Sequence, residues 1–315
     1  MLWGRLSIDD VLADTETSPP LAQHLRLVVE VRDFARVIGL DVDQQYTSYL
    51  PWPGDRIITN LVITEPGSIE ARSFEFPLIG AMPYKGFFDQ DMAEAEAAEF
   101  RDAGMDVCLV PVRAYSTLGF FADPVSDPML ASGEGRLTET LLHELVHSTF
   151  FLESRPDFNE GAANFVGQEA SVLYFRNDPE KAIRRRQEVA DARALALFLL
   201  EFRAMVGGLY ADSDSPDVVK SRRADAESEA RERLKSLPLA TYDQERLADE
   251  IALNDACLAL RGTYSGDLPK FERALARFDG DLPALIDGLK AAANTPDPET
   301  EFFRPGSDAP ATPVP

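Results

Sequence analysis

The stretch from Leu137 to Ala170, LTETLLHELVHSTFFLESRPDFNEGAANFVGQEA, constrains this chain more than any other. Leu141, Leu142, Leu145 and Val146 recur at helical spacing and demand burial on one face. His143 and His147 stand four residues apart in the same run, so a helix brings both imidazoles to one side. A helix is expected from about Arg136 to Leu152. Pro156-Asp157 then marks a boundary before a second helix, from about Phe158 to Arg176.

His143-Glu144-Leu145-Val146-His147 is an HExxH pattern, which can place two imidazoles on one metal ion and a carboxylate beside it. Glu144 is the candidate base that activates an attacking water. The chain holds 3 histidines, and two of them lie in this pattern. The third, His24, sits in an expected N-terminal helix and reads as an ordinary histidine. A catalytic zinc site uses three protein ligands and an open position, so the remaining ligand should be a carboxylate. Glu160 is the best candidate, with Asp157 and Glu153 in reserve. The competing explanation is a capping box, Asp157-x-x-Glu160, in which the glutamate only satisfies a helix end. Gly161, Ala162 and Ala163 are small enough to let the second helix approach the first. Asn164, one turn beyond Glu160, could orient an imidazole. For the oxyanion of a tetrahedral intermediate the candidate donors are Tyr115 and Tyr264, each of which also reads as a packed aromatic.

The 54 acidic residues against 31 basic ones give a net charge of -23, which would repel polyanions and argues against a nucleic-acid partner. No run approaches the roughly 20 apolar residues of a membrane span, so no transmembrane segment is expected. Cys108 and Cys257 are expected to be buried free thiols. No basic start and apolar core follow Met1, so as written the chain carries no export signal. That implies the cytoplasm, or an upstream segment missing from the sequence.

Residues 21–38 have helical spacing ended by Gly39, and residues 89–103 form a helix stopped by Gly104. Residues 46–54 read as loop. Arg56–Thr64 and Ser73–Met82 are β-rich and flank Glu65-Pro66-Gly67, so they are expected to pair antiparallel. Asp106–Val112 reads as another strand, and everything from Asp178 to Leu289 reads helical. The expected organisation is a mixed α/β region over 1–135, metal-site helices and a helical half over 136–292, and a disordered tail over 293–315.

Taken together these residues resemble a known group, the bacterial putative aminopeptidase family. The resemblance runs through Tyr46-Thr-Ser-Tyr49, Tyr84-Lys-Gly-Phe-Phe88, Gly104-Met-Asp-Val107 and the segment Ala114–Pro124. It continues through His143–His147, Phe158-Asn-Glu160, Phe165-Val166, and Asn254-Asp-Ala256 with Tyr264, covering roughly residues 25 to 290. It implies a zinc-dependent peptidase with His143, His147 and Glu160 around one Zn2+. Asp255 stands where the family pattern leads one to expect a second asparagine. Family members are often predicted lipoproteins, which implies a periplasmic or lipid-anchored form if an upstream segment exists. The expected fold is α+β and zincin-like, a small sheet over the HExxH helix with a helical C-terminal half, and the expected partner is a peptide held in extended form. The alternatives are an endopeptidase or processing protease, a non-catalytic zinc-binding protein, and a helical protein without metal. The sequence says nothing of oligomeric state.

Overall fold

The computed structural model describes residues 4–76, 80–114, 122–153, 155–211, 215–260 and 268–304. The fold is α+β. In chain order its elements are β1 (Leu6–Ser7), α1 (Ile8–Ala13), α2 (Pro19–Val37), β2 (Ser48–Leu50), β3 (Ile58–Thr64), β4 (Phe74–Phe76), β5 (Gly80–Met82), β6 (Lys85–Phe87), α3 (Gln90–Asp102) and β7 (Asp106–Val112). They continue with β8 (Val125–Ser126), α4 (Asp127–Leu130), α5 (Glu134–Thr149), α6 (Pro156–Tyr174), α7 (Pro179–Ala211) and α8 (Pro216–Lys235). The chain closes with α9 (Gln244–Glu250), α10 (Asp255–Ala259), α11 (Leu268–Arg277), α12 (Leu282–Ala293) and α13 (Pro298–Phe303).

Two compact units divide the chain, and they interleave along it, where three consecutive segments were expected. The first comprises Met1–Asp55, Ala114–Arg185 and Asp267–Pro315; the second comprises Arg56–Arg113 and Arg186–Gly266.

The first unit is built around α5. Its leucines Leu137, Leu141, Leu142 and Leu145 are 0% exposed, so the stripe read from the sequence is fully buried. Each such side chain contributes about 1.5–3 kcal/mol of apolar burial. α2 offers Leu25, Val28, Val31 and Ala35 to the same core. A sheet of order β1-β2-β8 belongs to this unit, with β1 antiparallel and β8 parallel to β2. β2 thus lies inside a stretch that reads as loop. The tail is also more ordered than its composition suggests: α13 inserts Phe302, 3% exposed, against Phe158 and Phe271. Residues 305–315 lie outside the described residues.

Between α2 and β2 the backbone takes two left-handed turns at residues other than glycine, Asp43 (φ 35°) and Tyr46 (φ 56°). Each costs about 1–3 kcal/mol. Buried polar bonds hold the loop in place. Arg32 Nη2 donates to the Asp43 carbonyl at 3.1 Å. Tyr46 N donates to the Asp123 carbonyl at 2.8 Å, and Asp123 N donates to Gln45 Oε1 at 2.7 Å.

In the second unit β3 lies between β6 and β7, antiparallel to both, with seven residue pairs from Ile58↔Val112 to Thr64↔Asp106. The expected pairing of the two β-rich runs is therefore corrected. The second run instead pairs with itself as β4-β5, while the residues just before it meet β3 through the bridge Thr64↔Ala71 and the bond from Arg72 N to the Ile63 carbonyl at 2.9 Å. Pro77 within that run lacks the amide a continuous ladder needs.

Cys108 and Cys257 form a disulfide across a separation of 149 residues, which corrects the expectation of free thiols. α10 carries Cys257, and its cap residue Asn254 donates to the Val107 carbonyl at 2.9 Å, bringing the two cysteines together. α7 modifies a further expectation, since by length and composition it could cross a membrane. One of its faces, Phe198, Leu199, Phe202 and Val206, is nevertheless packed into the core of the second unit. Replacing both cysteines with serine should destabilise this unit by about 2–5 kcal/mol, because the bond closes a long loop of the unfolded chain. Urea melts of oxidised and reduced protein check this, and coincident curves would show that no bond forms.

Candidate metal centre

α5 presents His143 and His147 one turn apart, with ring planes crossed at 81° and their Nε2 atoms 3.2 Å from each other. From α6, Glu160 places Oε2 3.5 Å from His143 Nε2 and Oε1 3.4 Å from His147 Nε2. A tetrahedral first-row ion with bonds of about 2.0–2.2 Å spaces its ligands roughly 3.3–3.6 Å apart, so the triangle has the size of a ligand set. The same distances are long for charge-assisted hydrogen bonds, which settle near 2.7–2.9 Å. His147 is 4% exposed, and its Nδ1 is buried without a hydrogen-bond partner, so the ring is not held by a rival network. Two imidazoles and one carboxylate suit zinc or a neighbouring ion better than calcium or magnesium, which prefer all-oxygen shells. Among the described residues this is the one group of three such side chains that could hold a metal ion.

Glu160 reaches the triangle because α6 begins at Pro156 and not at Asp157. Arg155 is the N-cap and makes no side-chain cap bond, so the capping-box explanation fails. The turn before α6 is set by Asn159, whose side chain accepts from Leu152 N and donates to Leu152 O, both at 2.8 Å. Neither Asp157 nor Glu153 joins the triangle.

Small residues do bring α6 onto α5, but the decisive one lies further along than expected. A Cβ on Gly161 would meet the Phe271 ring, at 3.0 Å. On Gly167 it would meet His143 itself, 3.1 Å from both Cβ and the backbone nitrogen, and the Glu139 carbonyl at 3.2 Å. One turn ahead of His143, Glu139 pairs with Arg185, which is 4% exposed and also donates through Nε to Ser171 Oγ at 2.8 Å. α5, α6 and the start of α7 are thus joined behind the ligands.

Burial opposes a charge on His143, but hydrogen bonds to Glu160 and Asn164 and the charges of Glu144 and Glu160 outweigh it and raise the pKa. Asn164 is thus one of the groups that act on His143. Burial likewise pushes Glu160 up, yet its bonds to His143 and His147 prevail and hold the carboxyl at about 2. The cluster favours a positive charge at its centre.

Tyr115 and Tyr264 lie outside the described residues. A different tyrosine, Tyr46, stands in this unit, 2% exposed, and the charges that act on its phenol are those of Glu144 and then Asp123. Sequence reading passed over it, as it did Asn159, since neither residue type advertises such a position. The available signal was Tyr46's place in one of the motif blocks.

The fold and site define an α+β protein in which the HExxH helix and the helix that follows bring together two histidines and a glutamate that could hold a metal ion. A family model described as "Putative aminopeptidase" matches residues 1–302, and the chain belongs to that family. No curated protein and no solved structure matches it.

Two outcomes follow from this geometry. Glu160→Gln should leave the fold intact but weaken metal binding by at least tenfold. Cobalt titration into the apo protein measures it, and unchanged affinity would return Glu160 to a structural role. Gly167→Val should cost about 1–3 kcal/mol, since the atoms in its way include α5 backbone. Gly208→Ala, in α7 with nothing within 4 Å of the added carbon, should instead stabilise by about 0.5–1 kcal/mol. Thermal melts of the pair separate close helix contact from a general intolerance of substitution.

Proposed function

We propose that the chain is a zinc-dependent peptide hydrolase of zincin-like fold, acting as an aminopeptidase. The observation that carries the reading is the triangle of His143, His147 and Glu160, of tetrahedral dimensions, with Glu144 next in sequence to the first ligand. His143, His147 and Glu160 would hold the ion. When bound, zinc would polarise the scissile carbonyl and make water a nucleophile near neutral pH.

The chain's own residues supply the rest. Glu144 is neither a ligand nor fully buried, and it follows His143 on the helix, so its carboxylate can accept the proton of the attacking water. The same carboxyl can then hand that proton to the departing amine. Asn164 keeps His143 aligned, and Asn159 keeps Glu160 in reach by fixing the turn ahead of it. The aminopeptidase assignment rests on the family's description. A free peptide amino terminus needs an anion to receive it, and digestion of a peptide library, read for cleavage position, distinguishes removal of terminal residues from internal cutting.

Purified protein is expected to bind about one zinc per chain. Glu144→Gln preserves size and hydrogen bonding but removes the base. It should keep zinc content and melting temperature while lowering peptide hydrolysis by roughly two to four orders of magnitude. Equal hydrolysis by the variant and wild type would refute the mechanism, and a wild type that binds zinc but cleaves no peptide would leave a binding protein.

A further inference from the structure

A cavity of about 670 Å3 opens in the second unit, and every residue that lines it belongs to that unit. Clefts that hold small molecules measure roughly 300–1,000 Å3, so the space is of ligand size. Three acids, Asp106, Glu227 and Asp255, and two bases, Lys220 and Arg223, line it. Most of these charges are already matched. Arg223 donates through Nε to Asp255 Oδ1 at 2.9 Å, through Nη1 to Glu227 Oε2 at 3.2 Å and through Nη2 to the Leu253 carbonyl at 2.5 Å. The Tyr210 hydroxyl donates to the other Asp255 oxygen, and Arg231 Nη2 donates to Glu227 Oε1 at 2.8 Å.

Asp106 and Lys220 are left over. Among the described residues neither takes part in an ion pair. Asp106 is half-buried and accepts a hydrogen bond from the Asp255 backbone N–H. Burial first, and then the charge of Asp255, push its carboxyl above the ordinary value, against that hydrogen bond and the charge of Arg223. The group stands beside other acids with no cation of its own. Lys220 is exposed on α8, and an exposed lysine alone means little. Its weight comes from the unmatched acid on the same cavity, because a ligand with one charge of each sign meets both.

The wall that carries Asp106 is formed in advance. Asp106 and Asp255 each stand two residues ahead of a cysteine, and the Cys108–Cys257 bond joins the two segments. Asn254 adds its bond to the Val107 carbonyl at 2.9 Å. A ligand therefore has little ordering of β7 and α10 to offset.

We propose that this cavity binds a free amino acid, with the ammonium on Asp106 and the carboxylate on Lys220. Pro216 and Val219 give its carbon skeleton an apolar wall, and the volume leaves room for a side chain of any size. The proposal does not depend on the hydrolase reading, since none of these residues belongs to the cluster of His143, His147 and Glu160.

The test is calorimetric titration of the zinc-loaded full chain with each standard amino acid in turn. For the tightest of them, the amino alcohol that lacks its carboxylate and the N-acetyl form that lacks its ammonium follow. At least one amino acid should bind wild type with a Kd below about 5 mM, and its N-acetyl form should not bind measurably. Asp106→Asn should weaken both the amino acid and the amino alcohol by at least about tenfold. Lys220→Ala, on an exposed helix position, should weaken the amino acid by about three- to tenfold and leave the amino alcohol within about twofold. The proposal is overturned if no standard amino acid binds, or if Asp106→Asn binds the best one within about twofold of wild type. Binding that ignores Asp106→Asn but is lost in His143→Ala would place the amino acid on the metal and overturn it as well. Equal weakening of amino acid and amino alcohol by Lys220→Ala would remove the carboxylate contact and with it the proposed ligand.

Discussion

The cluster of His143, His147 and Glu160 depends on how closely two helices approach. Gly167 of α6 lies against the backbone of α5 at His143, where even one added carbon would be crowded. That contact sets the distance from which Glu160 reaches the imidazoles, and the distance decides whether three donor atoms form a ligand triangle or a loose polar cluster. Chemistry at the ligands is inherited from packing behind them. The buried Arg185, joined to Glu139 and Ser171, ties the same two helices from the far side. Ala162, Ala163 and Ala170, all fully buried, continue the narrow seam along α6.

Along the seam a few polar side chains take defined partners. Asn159 closes the turn between the helices with two bonds to a single residue, Leu152. Asn164 bonds His143. Such side chains work by orientation, and orientation is retained only where the backbone beneath them does not move. The strained loop at Asp43 and Tyr46 shows the reverse arrangement. There the backbone is in a poor conformation, and buried hydrogen bonds from Arg32 and Asp123 keep it so.

What could be read from the sequence followed the range of the interactions. The apolar stripe of α5, the spacing of His143 and His147 and the glycines that stop α2 and α3 are local properties, and each was legible. Glu160 was legible as well, since a shortage of histidine left a carboxylate to complete the set. Non-local choices were not. β3 pairs with β7 more than forty residues later, in preference to the nearer run that Pro77 spoils. Cys108 and Cys257 look apolar and unrelated until the cap at Asn254 brings them together. The last helix carries Phe302 and Phe303 amid residues typical of a disordered tail, and their value lies in Phe158 and Phe271, which local composition cannot disclose. Tyr46 was hidden for a different reason, since its backbone conformation contradicts the preference of its residue type.

The order of segments in the first unit bears on how the protein is made. His143, His147 and Glu160 are all present once α6 has begun, but α11 and α13, which cover α6 with Phe271, Phe302 and Phe303, come more than a hundred residues later. All of the later part of the second unit, Arg186–Gly266, must emerge in between. At about 5–20 residues per second a ribosome needs on the order of ten seconds to deliver those helices. During that interval α5 and α6 exist without their aromatic cover. A nascent chain therefore displays the cluster of His143, His147 and Glu160 well before the aromatic side chains that cover α6 have been made.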